Sequence, residues 1–347
     1  MKLGIVGLPQ SGKTTIFNAL THRSGDPVGG GGKIVPIQGV VTVPDARVDW
    51  LTDLYKPQKK TFAQVTYIDL QAMPGALENK QEYMAQLLIH LRPVDALLMV
   101  VRNFPDAAGI PPNPQGDFRE LQDEFLLADL ATVEKRLERL TQEIKKGKKP
   151  IGNEKELLEA AVALLNAEKP LRSHPELASA PELRGFTFLS AKPLVVVVNN
   201  TDDDEALPDA TFDGLEAIVV RGKLEMEMAQ LSDEEAEVFR QDFGISESAL
   251  DRVIGRSYAL LNLATFLTVG EDEVRAWTIR RGLPAQEAAG VVHSDMQKGF
   301  IRAEVVAYDD LHRAGDYAAA RKLGVVRLEG KTYPVQDGDI INFRFNV

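Results

Sequence analysis

The pattern of apolar and polar positions divides the chain into regions with different periodicities. Leu3 to Val6 is a short apolar run that ends in a Gly-rich turn, and Gly39 to Val43 and Phe62 to Leu70 read as two further strands. Met84, Leu87, Leu88 and Leu91 share one face of a helix. Ala96 to Val101 is apolar at every position, as expected of a strand in a parallel sheet with helices over both faces. The pattern then changes. Leu126, Leu130, Val133, Leu137, Leu140 and Ile144 follow 4-3-4-3-4 spacing, with charged residues between them, which is a coiled-coil seam. A turn from Lys145 to Pro150 leads into a second helix carrying Leu157, Leu158, Ala161, Leu164 and Leu165, so the two helices form an antiparallel hairpin. Strand patterning returns at Leu194 to Val198 and Ala217 to Val220. Beyond about Leu263, Val274 to Ile279, Gly299 to Ala307 and Asp339 to Phe345 read as strands, with short helices at Pro284 to Gly290 and Tyr317 to Leu323. The expectation is an α/β nucleotide-binding domain at 1–117 and 185–263, a helical insert at 118–184 and a small α+β domain at 264–347.

Composition narrows the chemistry. The chain has no cysteine, which excludes disulfides, a Cys-ligated zinc and a cysteine nucleophile. None of the five histidines lies four residues from another, so a helical His-based metal site is not expected. The net charge of −11 argues against non-specific coating of nucleic acid. No apolar run approaches the roughly 20 residues that span a bilayer, and the N-terminus reads as a strand instead of a signal peptide. A cytoplasmic protein without membrane contact is expected.

The strongest motif is Gly7-Leu-Pro9-Gln10-Ser11-Gly12-Lys13-Thr14, which fits G-x-x-x-x-G-K-S/T between a strand and a helix that Thr15-Ile-Phe-Asn-Ala-Leu can start. Such a loop offers backbone N–H groups to phosphates, and its glycines permit the conformation and the close approach. Lys13 reaches the β- and γ-phosphates, Thr14 offers a hydroxyl to Mg²⁺, and the helix points its positive end at the anion. Asp69 closes a buried strand, where a carboxylate meets Mg²⁺ through water. Asn199-Asn-Thr-Asp202 follows the Leu194 to Val198 strand with base-recognition spacing. A carboxylate at Asp202 accepts two N–H bonds from guanine, whereas a carboxamide at Asn199 reads the N6 and N7 edge of adenine, so ATP and GTP both stay open. Arg221-Gly222-Lys223 follows the next strand and is placed to touch the base, while Ser190-Ala-Lys192 precedes the Asn199 strand and is read as a coincidence. Gly29 to Gly32 and Lys33 occupy the first switch region, which has no Thr or Ser to complete Mg²⁺ coordination.

These residues carry a resemblance. KLGIVGLPQSGKTTIFNALT, VVTVPDAR, VDALLMVVRNFPD and the helical insert resemble the YchF-type branch of the Obg-like NTPases. The likeness is strongest at the end, in EVRAWTIRRG, QEAAGVVHSDMQKGFIRAEVVAYDDL and RLEGKTYPVQDGDIINFRFNV. It implies a Ras-like P-loop NTPase domain, an inserted coiled-coil arm and a C-terminal TGS-type β-grasp domain. It also implies Mg²⁺-dependent hydrolysis, a preference for ATP over GTP, and association with the ribosome or ribosomal RNA. The family has a hydrophobic residue where Ras-like GTPases orient the attacking water with Gln, and Met73 agrees. Three departures stand out: Asp202 for Glu, Lys33 for the switch Thr, and Ala72 for Gly. They bear on hydrolysis more than on binding, so a non-hydrolysing, nucleotide-dependent binding module is the second reading beside a slow ATPase or GTPase.

Overall fold

The computed structural model describes residues 1–23, 34–72, 80–149, 152–242 and 248–346. It is a mixed α/β structure with two six-stranded sheets. The chain forms two compact units, Met1–Val40 with Thr66–Val253, and Val41–Val65 with Ile254–Val347. The expectations on Gly29 to Gly32, Lys33 and Met73 fall outside the described residues.

The first sheet contains β1 (Lys2–Val6), β2 (Ile34–Thr42), β4 (Gln64–Ala72), β5 (Ala96–Asn103), β6 (Leu194–Asn200) and β7 (Ala217–Val220); β3 (Lys59–Thr61) belongs to the other sheet. Its order is β2-β4-β1-β5-β6-β7. β1 runs parallel to β4 and β5, β5 to β6, and β6 to β7. All seven residues of β6 are buried, and so are the first six of β5. Helices cover both faces of such strands, which is why their sequences show no alternation. On one face Leu97, Met99, Val101, Val196 and Val198 pack with Leu87 and Leu91 of the helix Lys80–Leu91 and with Phe118, Leu121 and Phe125.

Those three residues open the helix Pro114–Lys145, whose 32 residues make it about 48 Å long at 1.5 Å per residue. Asn113 starts it by accepting a hydrogen bond from the Gly116 N–H, and Pro114 sits in the first turn, where its missing N–H costs nothing. The second half of this helix leaves the sheet and pairs with the helix Glu154–Asn166. There Leu126, Val133 and Leu140 pack with Leu158, Ala161 and Leu165, and Arg136 clasps the Glu154 carboxylate at 2.7 and 2.9 Å. Asp129 is fully buried in the same helix and accepts from the N–H groups of Leu189 and Ser190, while the Lys192 ammonium donates to the carbonyls of Arg92 and Val94. Ser190 and Lys192 thus serve to anchor the approach to β6.

The second sheet has the order β11-β10-β12-β8-β9-β3, with β8 at Leu263–Val269, β9 at Glu273–Arg280, β10 at Phe300–Ala307, β11 at Arg327–Glu329 and β12 at Asp339–Phe345. β12 runs parallel to β8 and β3 to β9, and the other pairs are antiparallel. The helix Ala285–Val292 lays Ala285, Ala288 and Ala289 against Phe266, Ile279, Val305, Ile341 and Phe343. The helix Ala46–Tyr55, not expected from the sequence, begins at Asp45, which accepts from the Arg47 N–H. The Arg47 guanidinium bridges Asp45 and Asp337, and Asp337 in turn accepts from the Thr265 N–H at 2.7 Å.

Candidate functional site

β1 ends at Val6 and the chain turns sharply at Gly7. A Cβ there would lie 2.5 Å from the Val100 carbonyl oxygen of β5, so only glycine fits. Ser11 N–H donates to the Leu8 carbonyl at 3.2 Å and closes the turn. Gln10 takes a positive φ of 64°, and its side-chain oxygen accepts from Ala107 N–H of the loop after β5. Pro9 is exposed, and Thr15 is half-buried on the first helical turn. Gly12 has a φ of 87° and caps the helix Lys13–Thr21. The first N–H groups of that helix have no carbonyl partner within it, which is the arrangement that draws anions.

Lys13 folds back over this turn and donates to the Leu8 carbonyl at 3.3 Å. Burial pulls its pKa below the ordinary lysine value, and the charge of Asp69 opposes the shift. A partly desolvated ammonium of this kind gains from an anionic ligand. Thr14 Oγ1 donates to Asp69 Oδ2 at 3.0 Å, and Asp69 is fully buried. The register that pairs Ile5 with Asp69 brings the carboxylate on β4 beside the loop that follows β1.

Asn199, at the end of β6, ties this loop to a second one. Its Nδ2 donates to the Ser11 carbonyl at 3.1 Å, and its Oδ1 accepts from Gly222 N–H at 3.0 Å. Two glycines make room for the carboxamide. A Cβ on Gly12 would stand 2.1 Å from Asn199 Nδ2, and one on Gly222 would stand 2.7 Å from Asn199 Oδ1. The next residue, Asn200, is turned inward and donates to the carbonyls of Asp204 and Ala206, so it holds the following loop closed. Asp202 and Lys223 form the exposed edge, with the ammonium 3.8 Å from the carboxylate. Gly7, Ser11, Gly12, Lys13, Thr14, Asp69, Asn199 and Gly222 therefore meet at the C-terminal end of the first sheet, where ligands of open α/β sheets bind.

Sequence reading missed three nearby groups. Tyr83 is buried, and its hydroxyl has no hydrogen-bond partner among the described residues; burial, with Asp69 adding to it, pushes its pKa up to about 12. Asn103 donates to Asn200 Oδ1 at 3.0 Å. Glu225 is buried and accepts from Ser248 Oγ and Ala249 N–H, which caps the helix Ala249–Leu260; burial raises its pKa. Tyr83 directly precedes the apolar helical face of Met84, Leu87, Leu88 and Leu91, and Glu225 lies two residues beyond Arg221-Gly222-Lys223, so neither carries a motif of its own. Among the described residues no group of three or more His, Cys, Asp or Glu side chains could hold a metal. No described helix is long and apolar enough to cross a membrane.

Comparison with known proteins agrees with this geometry. Residues 263–346 match the YchF-GTPase_C family model, described as a protein of unknown function (DUF933). The chain is 41% identical to the ribosome-binding ATPase YchF of Bacillus subtilis, across 99% of each chain. It is 38% identical to the ribosome-binding ATPase YchF of Pasteurella multocida, across 100% of this chain and 99% of that one. It also superposes on the solved YchF GTPase of Schizosaccharomyces pombe with a TM-score of 0.82 and 31% identity, covering 99% of this chain and 97% of that chain. With full-length identity at this level, and the P-loop, Asp69 and Asn199 gathered at one sheet end, the chain belongs to the YchF family.

Proposed function

We propose that this protein binds a purine nucleoside triphosphate, hydrolyses it slowly with ATP preferred to GTP, and associates with the ribosome. The observation that carries the reading is the 3.0 Å bond from Thr14 to the buried Asp69, directly behind Gly12 and Lys13. The names of the relatives support the choice of ATP and of the ribosome. The sheet order, with the loop after β1 and Asn199 after β6, supports a Ras-like nucleotide-binding domain at 1–117 and 185–263. The two packed helices support an arm at 118–184, and the mixed sheet with its Ala285–Val292 helix supports a TGS-like β-grasp domain at 264–347. A cytoplasmic location follows from the ribosome reading.

In this reading the backbone of Gly7 to Thr14, Thr15 included at the helix start, receives the phosphates, and Lys13 balances charge on the terminal ones. Fixed donors in a partly desolvated site stabilise the transferring phosphoryl group more than the same donors in water would. The donor set fits Mg²⁺, a hard cation that prefers oxygen and keeps several waters. Thr14 and Asp69 would hold it, and it would supply charge neutralisation between the phosphates. Asn199 keeps Ser11 and Gly222 in register, and one N–H and one lone pair of its carboxamide remain for the base. A hydrophobic Met73 in place of a water-orienting Gln accounts for slow turnover.

A GTPase is the second reading. It is favoured by the half-exposed Asp202 carboxylate, which suits the paired N–H groups of guanine. Phosphate release from ATP and from GTP, with Mg²⁺ and with or without ribosomes, separates the readings when Lys13→Ala serves as the blank. Faster release from ATP is expected. Faster release from GTP selects the second reading, and release no faster than the blank leaves a binding module without hydrolysis.

A further inference from the structure

We infer that the turn joining the two packed helices, Lys145, Lys146, Lys148 and Lys149, is a docking point for the phosphate backbone of ribosomal RNA. The inference rests on the ribosome reading and names the surface that meets the partner. In a chain of net charge −11, four of five consecutive residues here are lysines. All four are exposed. The turn ends a helix about 48 Å long, of which only the first half packs on the sheet.

Among the described residues the cluster has no neutralising partner. Of the carboxylates flanking the turn, Glu143 and Glu154 both face Arg136, at 3.7 and 2.7 Å, and Glu159 faces Lys155 at 3.1 Å. Among the described residues none of the four ammonium groups pairs with a carboxylate. The contrast with the second unit is direct: there Arg321 and Arg344 both bind Glu304, and Arg47 binds Asp45 and Asp337. Favourable interaction with the helix dipole accounts for lysines in the last turn, Lys145 and Lys146, but not for Lys148 and Lys149 beyond it.

Hydrogen bonds also hold the backbone from Lys146 to Lys148. Lys146 N–H donates to Gln142 and Glu143, Gly147 N–H to Ile144, and Lys148 N–H to Glu143, with Gly147 at a φ of 84°. Four strongly hydrated point charges, with no aromatic ring or guanidinium fork among them, suit phosphate oxygens and not base edges. RNA is therefore the occupant that the charge and chemistry select over an acidic protein.

The test compares the full chain with a variant carrying Lys145→Gln, Lys146→Gln, Lys148→Gln and Lys149→Gln. Binding to purified ribosomal subunits, and to the RNA extracted from them, is measured from about 50 to 200 mM salt. The variant's salt slope should fall by about 3 on both probes, so the natural chain loses ~60-fold more affinity than the variant across that range. Four Lys→Arg changes should restore the slope, and nucleotide affinity and far-UV helicity should stay unchanged in both variants. If the natural chain binds ribosomes and the Gln variant keeps its slope, the docking point is refuted and the ribosome reading survives. Loss on ribosomes with no slope difference on extracted RNA would replace RNA by an acidic protein. A natural chain that ignores ribosomes removes both readings together.

Discussion

At the end of the first sheet, the Lys13 ammonium meets one carbonyl, at 3.3 Å, and the buried Ser11 hydroxyl has no partner among the described residues. In the second sheet the buried Glu304 receives Arg321, Arg344 and the Tyr317 hydroxyl, and Asp337 receives Thr265 N–H and Arg47. One region holds polar groups ready for a ligand that completes them. The other, at Glu304 and Asp337, completes its own. Buried polar atoms normally find partners, so the places where they do not mark the residues whose substitution should change binding more than stability.

Lys13→Ala should give the largest effect and the cleanest break between the two regions. Nucleotide affinity should fall at least ~100-fold, because charge-assisted hydrogen bonds contribute about 1.5–3 kcal/mol each. The melting temperature without nucleotide should hold or rise, since a partly desolvated cation is removed. A large drop in melting temperature would erase the proposed contrast.

Asn199→Ala should act on both properties. It removes two hydrogen bonds and strands the Ser11 carbonyl and the Gly222 N–H, at about 1–3 kcal/mol for each buried group left unpaired. Calorimetric titration should show affinity lower by ~10- to 100-fold, with a matching loss in thermal stability.

Glu304→Gln should show the converse of Lys13→Ala: lower stability, by about 1–2 kcal/mol, with nucleotide affinity intact. Hydrogen bonds from Arg321 and Tyr317, against the opposing effect of burial, hold the Glu304 carboxyl down at about 2. A depressed folded-state pKa contributes stability above the ordinary glutamate value of 4.5, and that contribution is lost as pH falls towards about 2. Unfolding curves between those limits should slope for the natural chain and flatten for the Gln variant.

Asp202→Ala should be the smallest change. If this half-exposed carboxylate reads guanine, GTP affinity falls by about three- to tenfold while ATP affinity hardly moves. Equal loss for both nucleotides would assign it to the loop and not to the base.

Parts of this were legible from local pattern alone. β5 and β6 are buried on both faces, so their unbroken apolar runs announced them. The P-loop was legible because chemistry fixes its residue types at each position. The helix Pro114–Lys145 was readable from its seam, but its first turns pack on another core and do not follow the heptad. The helix Ala46–Tyr55 and β3 escaped, because β3 pairs with β9, with more than 200 residues between Thr61 and Arg275, and no short window of sequence encodes that partner. At the site, the residue types were readable, but the double role of Asn199 was not. It depends on two glycines, Gly12 and Gly222, that meet only in three dimensions.

The place of β12 has a consequence for synthesis. It follows every other strand of its sheet in the chain, yet it lies inside, between β10 and β8. A nascent chain therefore carries β10 with β11, and β8 with β9 and β3, as separate ladders with two open edges until Asp339–Phe345 emerges to join them. Such edges invite pairing with other chains. Translation that stops before Asp339 should yield a sticky, protease-sensitive product even though the nucleotide site upstream is already complete.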